Sequence, residues 1–183
     1  GTGVLESSGP MDPSSTPPSP AGDIDGRVVE EILVVDDSPT MAKLLEMGLR
    51  AAGFHVRVAT NGTDGLAMAL ERPPDLVLAD VMMPGLSGTE LCERIKSNER
   101  LREIPVMIVS SKAEGEMKVR GLELGADDYV TKPFHPREVM ARARSLVRLR
   151  EAQREVAERN SELEAALDRL NRTQTQLVQS ERL

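Results

Sequence analysis

Four apolar runs in this chain end on residues that can do chemistry. Ile32-Leu33-Val34-Val35 runs into Asp36-Asp37, and Leu76-Val77-Leu78-Ala79 runs into Asp80. Val106-Met107-Ile108-Val109 runs into Ser110-Ser111, and Tyr129-Val130 into Thr131-Lys132-Pro133. If the runs are parallel strands, three carboxylates, a hydroxyl and an ammonium converge on one sheet edge. Such carboxylates suit a hard divalent cation, above all Mg2+, which takes oxygen ligands in near-octahedral geometry and keeps several waters. Asp37 and Asp80 would bind it directly, and Asp36 directly or through water. A backbone carbonyl just past Asp80, that of Met82, would complete the protein's share. For Asp36-Asp37 taken alone, an exposed turn with a helix cap is an equal alternative; Asp80 and Lys132 in matching places favour the cation. The Lys132 ammonium suits a phosphoryl oxygen as a point charge. Its neighbour Pro133 can take a cis bond at low cost, and Ser110 offers a short donor. Metal, ammonium and hydroxyl around Asp80 make a receptor for a phosphoryl group carried by Asp80 itself. Carboxylates do form aspartyl phosphates, and catalysis then rests on positioning and charge stabilisation.

The elements that must position these residues follow from the same pattern. The spacing predicts strands over 31–35, 55–59, 76–80, 105–109 and 128–131, with helices over 39–52, 62–72, 87–98 and 114–124. Ser38 is a good N-cap with Pro39 at the first helical position, Asn61 caps the second helix and Gly53 ends the first. Strict alternation with short links predicts an α/β fold: a parallel sheet covered by helices on both faces. In such sheets ligands bind at the carboxyl ends of the strands, where the polar cluster falls.

Three compositional regions divide the chain. Residues 1–27 are rich in Gly, Ser, Pro and Asp, too poor in apolar side chains to offset the entropy of ordering, and are expected to be a disordered tail. Residues 28–148 hold the alternating pattern. Residues 149–183 continue a last helix that has neither Gly nor Pro after Pro136. One heptad position of that helix holds Leu149, Val156, Leu163, Leu170 and Leu177; the other holds Leu146, Gln153, Asn160, Leu167 and Gln174. The first series is unbroken apolar, and a buried Asn in the second favours a parallel, in-register dimer at a cost in stability. Arg159 and Glu164 would pair across that interface. A single solvated helix is the alternative, but about 45 residues at 1.5 Å each make a rod of roughly 70 Å, too long to fold back on the domain. The prediction is a homodimer through a parallel coiled coil.

Composition excludes several classes. The chain has 23 basic and 30 acidic residues for a net charge of −7, and no segment concentrates Lys and Arg without interleaved acids, which argues against nucleic-acid binding. The single cysteine, Cys92, forbids an intrachain disulfide and fits a reducing compartment. No apolar run approaches ~20 residues, and the N-terminus lacks the features of a signal peptide. The cytoplasm, with no membrane partner, is the expected location. No Gly-rich phosphate loop precedes a Lys-Ser/Thr pair, so ATP is not the expected direct donor, and no catalytic triad is apparent. His55 in the second strand and His135 before Pro136 are expected to be structural or capping residues.

The strand-end motifs, with the stretches Asp80-Val81-Met82-Met83-Pro84-Gly85 and Gly125-Ala126-Asp127-Asp128-Tyr129-Val130-Thr131-Lys132-Pro133-Phe134, resemble the receiver domain of two-component response regulators. The resemblance covers about 31–148. It implies a flavodoxin-like (βα)5 fold with sheet order 2-1-3-4-5. It implies that Asp80 accepts phosphate from the phosphohistidine of a histidine kinase, that Asp36 and Asp37 bind Mg2+, and that Lys132 pairs with the phosphate. Ser110 would be the switch hydroxyl, and Tyr129 the switch aromatic, inward when Asp80 is phosphorylated and outward otherwise. Met82 and Lys112 occupy the positions that tune phosphate lifetime in the family; Met82 has no group to orient a water, so fast autodephosphorylation is not expected. The tail Leu170–Leu183 looks like the helix leading into a sensor histidine kinase's dimerisation domain. The expected output is therefore a kinase domain reached through the last helix. A dimerising scaffold, or another effector such as a diguanylate cyclase, is the alternative. A metal-dependent phosphohydrolase using Asp80 is the third reading; it would want a second acid where Met82 stands.

Overall fold

The structure is a computed structural model and describes residues 30–111 and 125–182. The expected N-terminal tail, Lys112, the helix over 114–124 and Leu183 lie outside the described residues. Five strands form one parallel sheet: β1 (Glu31–Val35), β2 (His55–Ala59), β3 (Leu76–Asp80), β4 (Val106–Ser111) and β5 (Asp128–Lys132), in the order β2-β1-β3-β4-β5. This is the expected 2-1-3-4-5 arrangement. Between them lie α1 (Pro39–Ala51), α2 (Gly62–Glu71) and α3 (Gly88–Lys96), and α4 (Pro136–Ser180) follows β5.

Alternate residues of each strand feed two different cores. Leu33, Val35, Val77, Ala79, Val106 and Ile108 pack with Leu91, Cys92 and Ile95 of α3. Ile32, Val34, Leu76, Leu78, Met107 and Val109 pack with Leu45 and Leu49 of α1 and with Val139, Ala143 and Val147 of α4. A strand buried on both faces must be apolar at every position, which is why these runs do not alternate with polar residues. β3 is central and all five of its residues are buried. The carboxylate that ends it is therefore held by a rigid strand.

Local signals start the helices where the sequence places them. Ser38 caps α1, accepting from the Met41 N–H at 3.4 Å, with Pro39 in the first turn. Asn61 caps α2 through the Asp64 N–H at 2.8 Å. Ser87 and Glu90 form a capping box on α3, which satisfies two end donors reciprocally. Gly85 takes φ +78° in the turn after β3, a conformation open to glycine at little cost. A Cβ at Gly88 would strike the Asp80 carbonyl oxygen, so glycine there lets α3 start against the end of β3.

The last helix is two things in one element. Its first turns carry the buried residues Val139, Ala143, Val147 and Arg150, and every residue from Glu151 to Ser180 is exposed. Leu146, first of the second heptad series, is partly buried and packs on the domain core. Contacts with the domain continue to Arg150 and Arg154, beyond the expected boundary at 148.

Candidate functional site

The sheet register carries the four strand ends to one edge. Val35 lies beside Ala79, and Asp80 beside Val109. Ser110 pairs with Thr131, and Ser111 with Lys132. The residues just past β1 and those ending β3, β4 and β5 are therefore neighbours because the strands are parallel and in step.

Three carboxylates meet there. One oxygen from each of Asp36, Asp37 and Asp80 lies within 4.8 Å of the other two. Asp36 and Asp80 are buried, Asp80 at 8% exposure, while Asp37 is open to solvent. Asp36 Oδ1 accepts from the Ser38 N–H at 2.8 Å. Its Oδ2 is buried without a hydrogen-bond partner among the described residues. A buried, unpartnered oxygen on a carboxylate clustered with two others is costly, and a cation is the group that relieves it. The donor set, all oxygen and partly open to water, fits a hard divalent ion.

Electrostatics agree. Burial pushes the Asp36 carboxyl above its ordinary value, and Asp80 and Asp37 add repulsion against the Ser38 N–H and Lys132. Burial likewise raises Asp80, opposed first by Lys132 and also by the Met82 N–H. Lys132 Nζ stands 3.2 Å from Asp80 Oδ2, and the Lys132–Pro133 peptide is cis. The Met82 N–H was not foreseen from the sequence. Its signal is positional: just past β3, at the turn into Pro84-Gly85, an N–H is free of the sheet ladder. The Met82 side chain points outward and is exposed.

The two expected switch residues meet one another. Ser110 is fully buried, its hydroxyl bonded to the Tyr129 hydroxyl and, at 3.1 Å, to the Ser111 carbonyl. Tyr129 is buried and packs inward within the same core as Ile108. His55 begins the edge strand β2, 3.6 Å from Glu31, and His135 caps α4 by accepting from the Arg137 N–H at 3.2 Å. Cys92 is buried, its thiol pushed up to about 11 by desolvation.

A family model described as the response regulator receiver domain matches residues 32–144, more than half of the chain. The chain belongs to the receiver domain family of two-component response regulators. Among curated relatives, the phosphate regulon transcriptional regulatory protein PhoB of Pseudomonas aeruginosa is 42% identical over 121 residues, covering 66% of this chain and 53% of its own. The transcriptional regulatory protein BaeR of Escherichia coli is 39% identical over 137 residues, covering 75% and 56%. The receiver chain thus spans about half the length of the curated relatives it matches. Among solved structures, a putative response regulator from Chloroflexus aurantiacus superposes with a TM-score of 0.63 at 34% identity, covering 65% of this chain and 98% of that one. The signal receiver domain of a signal transduction histidine kinase from Syntrophus aciditrophicus gives 0.62 at 35% identity, covering 65% and 90%.

Among the described residues, no helix of the receiver is long and apolar enough to cross a membrane.

Proposed function

We propose that this receiver takes a phosphoryl group onto Asp80 from the phosphohistidine of a histidine kinase and passes the change along α4. The observation that carries this reading is the convergence of Lys132 and two further carboxylates, Asp36 and Asp37, on Asp80, with Asp36 Oδ2 left for a cation. Asp36, Asp37, Asp80 and the Met82 backbone carbonyl would hold Mg2+. When bound, the ion supplies positive charge for phosphoryl oxygens and offsets the crowding of the carboxylates. Asp80 forms the new P–O bond as the donor's P–N bond breaks, and the electron pair leaves on the imidazole. Lys132 holds a phosphoryl oxygen as a fixed counter-charge, and its 3.2 Å approach to Asp80 supports that role. Ser110 turns its hydroxyl to the phosphoryl group, and Tyr129 takes the inward position it has in this structure, the position expected of the phosphorylated state. The surface built by β5 and the start of α4 then changes shape. Two packings separated by a few kcal/mol are enough for such a switch.

The second half of the proposal is a homodimer through a parallel coiled coil. Leu149, Val156, Leu163, Leu167, Leu170 and Leu177 are all exposed along one stripe of α4, with Asn160 between them. In the single chain Arg159 reaches back to Glu155 at 2.7 Å, and in the dimer it would turn to Glu164 of the second copy.

The output is a histidine kinase domain beyond the rod, as the resemblance of the tail suggests; the Syntrophus structure is described as the receiver of such a kinase. Another effector or a scaffold is the second reading, and the relatives named as transcriptional regulators favour it.

Incubation with acetyl phosphate and Mg2+ tests the chemistry. The native chain should gain one acid-stable, base-labile phosphoryl group, and Asp80→Asn none. Labelling of Asp80→Asn to the native extent would sink the reading. With Met82 unable to orient water, the phosphoprotein should outlast minutes, and a lifetime of seconds would remove that part.

A further inference from the structure

The strongest feature left unused lies at the end of β3 opposite Asp80. There the chain Pro74-Asp75 enters the strand, and α4 crosses it at the point where the helix leaves the domain. Arg150 is buried, and its Nη1 donates to the Pro74 carbonyl at 2.7 Å. Its Nε has no hydrogen-bond partner among the described residues. A guanidinium buried on a neutral acceptor is a poor way to gain stability, because desolvation opposes its charge. Its geometry is nonetheless specific. One turn on, Arg154 Nη1 lies 3.3 Å from Asp75 Oδ1. The other Asp75 oxygen accepts the Glu31 N–H at 2.8 Å, and the Asp75 N–H donates to the Glu31 carbonyl at 2.7 Å. Asp75 thus joins the starts of β1 and β3 to the last turn of α4 that touches the domain.

We infer that Arg150 and Arg154 form a clamp that fixes the direction and rotation of the rod relative to β3, and that through it the state of Asp80 sets the orientation of the coiled coil. Three observations combine. β3 is a buried strand hydrogen-bonded on both sides, about 17 Å long, with Asp75 before one end and Asp80 at the other. A side-chain grip at its start follows any shift of the strand. The clamp residues also lie off the heptad stripe of Leu149, Gln153, Val156 and Asn160, so grip and dimer seam occupy the same turns without competing. Past Arg154 the side-chain hydrogen bonds of α4 among the described residues run only within the helix, such as Arg159 to Glu155. Arg150 and Arg154 are accordingly the last positioning residues before the free rod. The proposal rests on the phosphoacceptor reading of Asp80.

The test uses the full chain with spin labels at Glu71→Cys and Glu162→Cys, diluted with unlabelled chain so that each distance is intramolecular. The buried Cys92 is replaced by Ala in every labelled chain, so that only the two introduced cysteines carry label. In the native background the distance distribution should be narrow and should shift when beryllofluoride and Mg2+ are added. Arg154→Gln, an exposed change that leaves the core intact, should broaden it at least 1.5-fold and halve the shift. Arg150→Met with Arg154→Gln should remove the shift, and Arg154→Lys should restore it. Beryllofluoride affinity, followed by fluorescence of the one tyrosine, Tyr129, should stay within twofold of native in all variants. Unchanged width and shift in the double variant would overturn the clamp while leaving the phosphoacceptor reading intact, as would a native distribution that beryllofluoride binds without moving. Failure of the native chain to bind beryllofluoride would defeat both.

Discussion

The sheet domain and the distal half of α4 treat the same kind of side chain in opposite ways. In the domain, leucines such as Leu33, Leu78 and Leu91 are buried almost completely. From Glu151 to Ser180 every residue is exposed, and Leu163, Leu167 and Leu170 stand 58–62% open. Both regions are regular, so regularity does not distinguish them. What differs is whether the chain supplies its own cover. Most helical stability in proteins comes from packing an amphipathic face, and a stripe of leucines on a polar rod is a face without its partner. The domain covers its own apolar side chains, and the distal rod leaves its leucines uncovered in the single chain.

The largest effect should come from charging the seam. Leu163→Asp with Leu170→Asp places two unpaired carboxylates per chain where two copies would meet, together costing on the order of 4 kcal/mol after relaxation and water penetration. Sedimentation at tens of micromolar should show the native chain dimeric and this variant monomeric, a weakening on the order of 1,000-fold. The unfolding transition of the domain should not move. A native monomer would break the contrast, because the exposed leucines would then need no partner.

The converse change acts on the domain. Leu78 is central, in a strand buried on both faces, and Leu78→Ala should cost about 2–5 kcal/mol in denaturant unfolding. The dimerisation of the folded chain should be unaltered. If Leu78→Ala weakened the dimer as strongly as it weakened the domain, the two regions would be one cooperative unit.

The contrast also explains what the sequence could and could not reveal. Asp36, Asp37, Asp80 and Lys132 were legible because each follows or ends an apolar run, and parallel strands bring such ends together whatever the details. The rod was legible because a heptad needs only one chain to be read. Leu146 shows the limit: it fits the second heptad series but packs on the domain, since the core-facing stripe and the seam overlap where the helix leaves. Arg150 and Arg154 belong to neither heptad series, and only the approach of Pro74 and Asp75, over seventy residues earlier, gives them these partners. The bond between the Ser110 and Tyr129 hydroxyls likewise depends on the β4–β5 register, which follows from strand order.

A smaller effect should come from Asn160→Leu. Asn160 stands at a seam position where two amides can pair in a parallel dimer. Replacing it with Leu should tighten the dimer about tenfold and relax its register. Crosslinking through Val156→Cys would then give mixed products where the native background gives one. A single register in both would show that the leucines alone align the chains.

The smallest effect lies at the junction between the two regions. Glu30 is raised to about 7, chiefly by desolvation, then by its hydrogen bond and repulsion with Glu151 and by Asp75, against Arg148. A carboxyl raised on folding binds its proton in the folded state where the unfolded chain, with the ordinary value near 4.5, has lost it. Stability therefore falls as pH rises from about 4.5 to about 7 and is level above that. Glu30 is only part-buried, so solvent screening keeps the effect under about 1 kcal/mol, a few degrees in the unfolding midpoint. Burial raises Asp36 and Asp80 as well, giving slopes of the same sign, so the native profile alone does not isolate Glu30. The difference between native and Glu30→Gln does: the variant should gain a degree or two on the native chain at pH 7.5 relative to pH 5. If the difference is the same at both pH values, Glu30 and Glu151 share no proton, and the junction is held by its arginines alone.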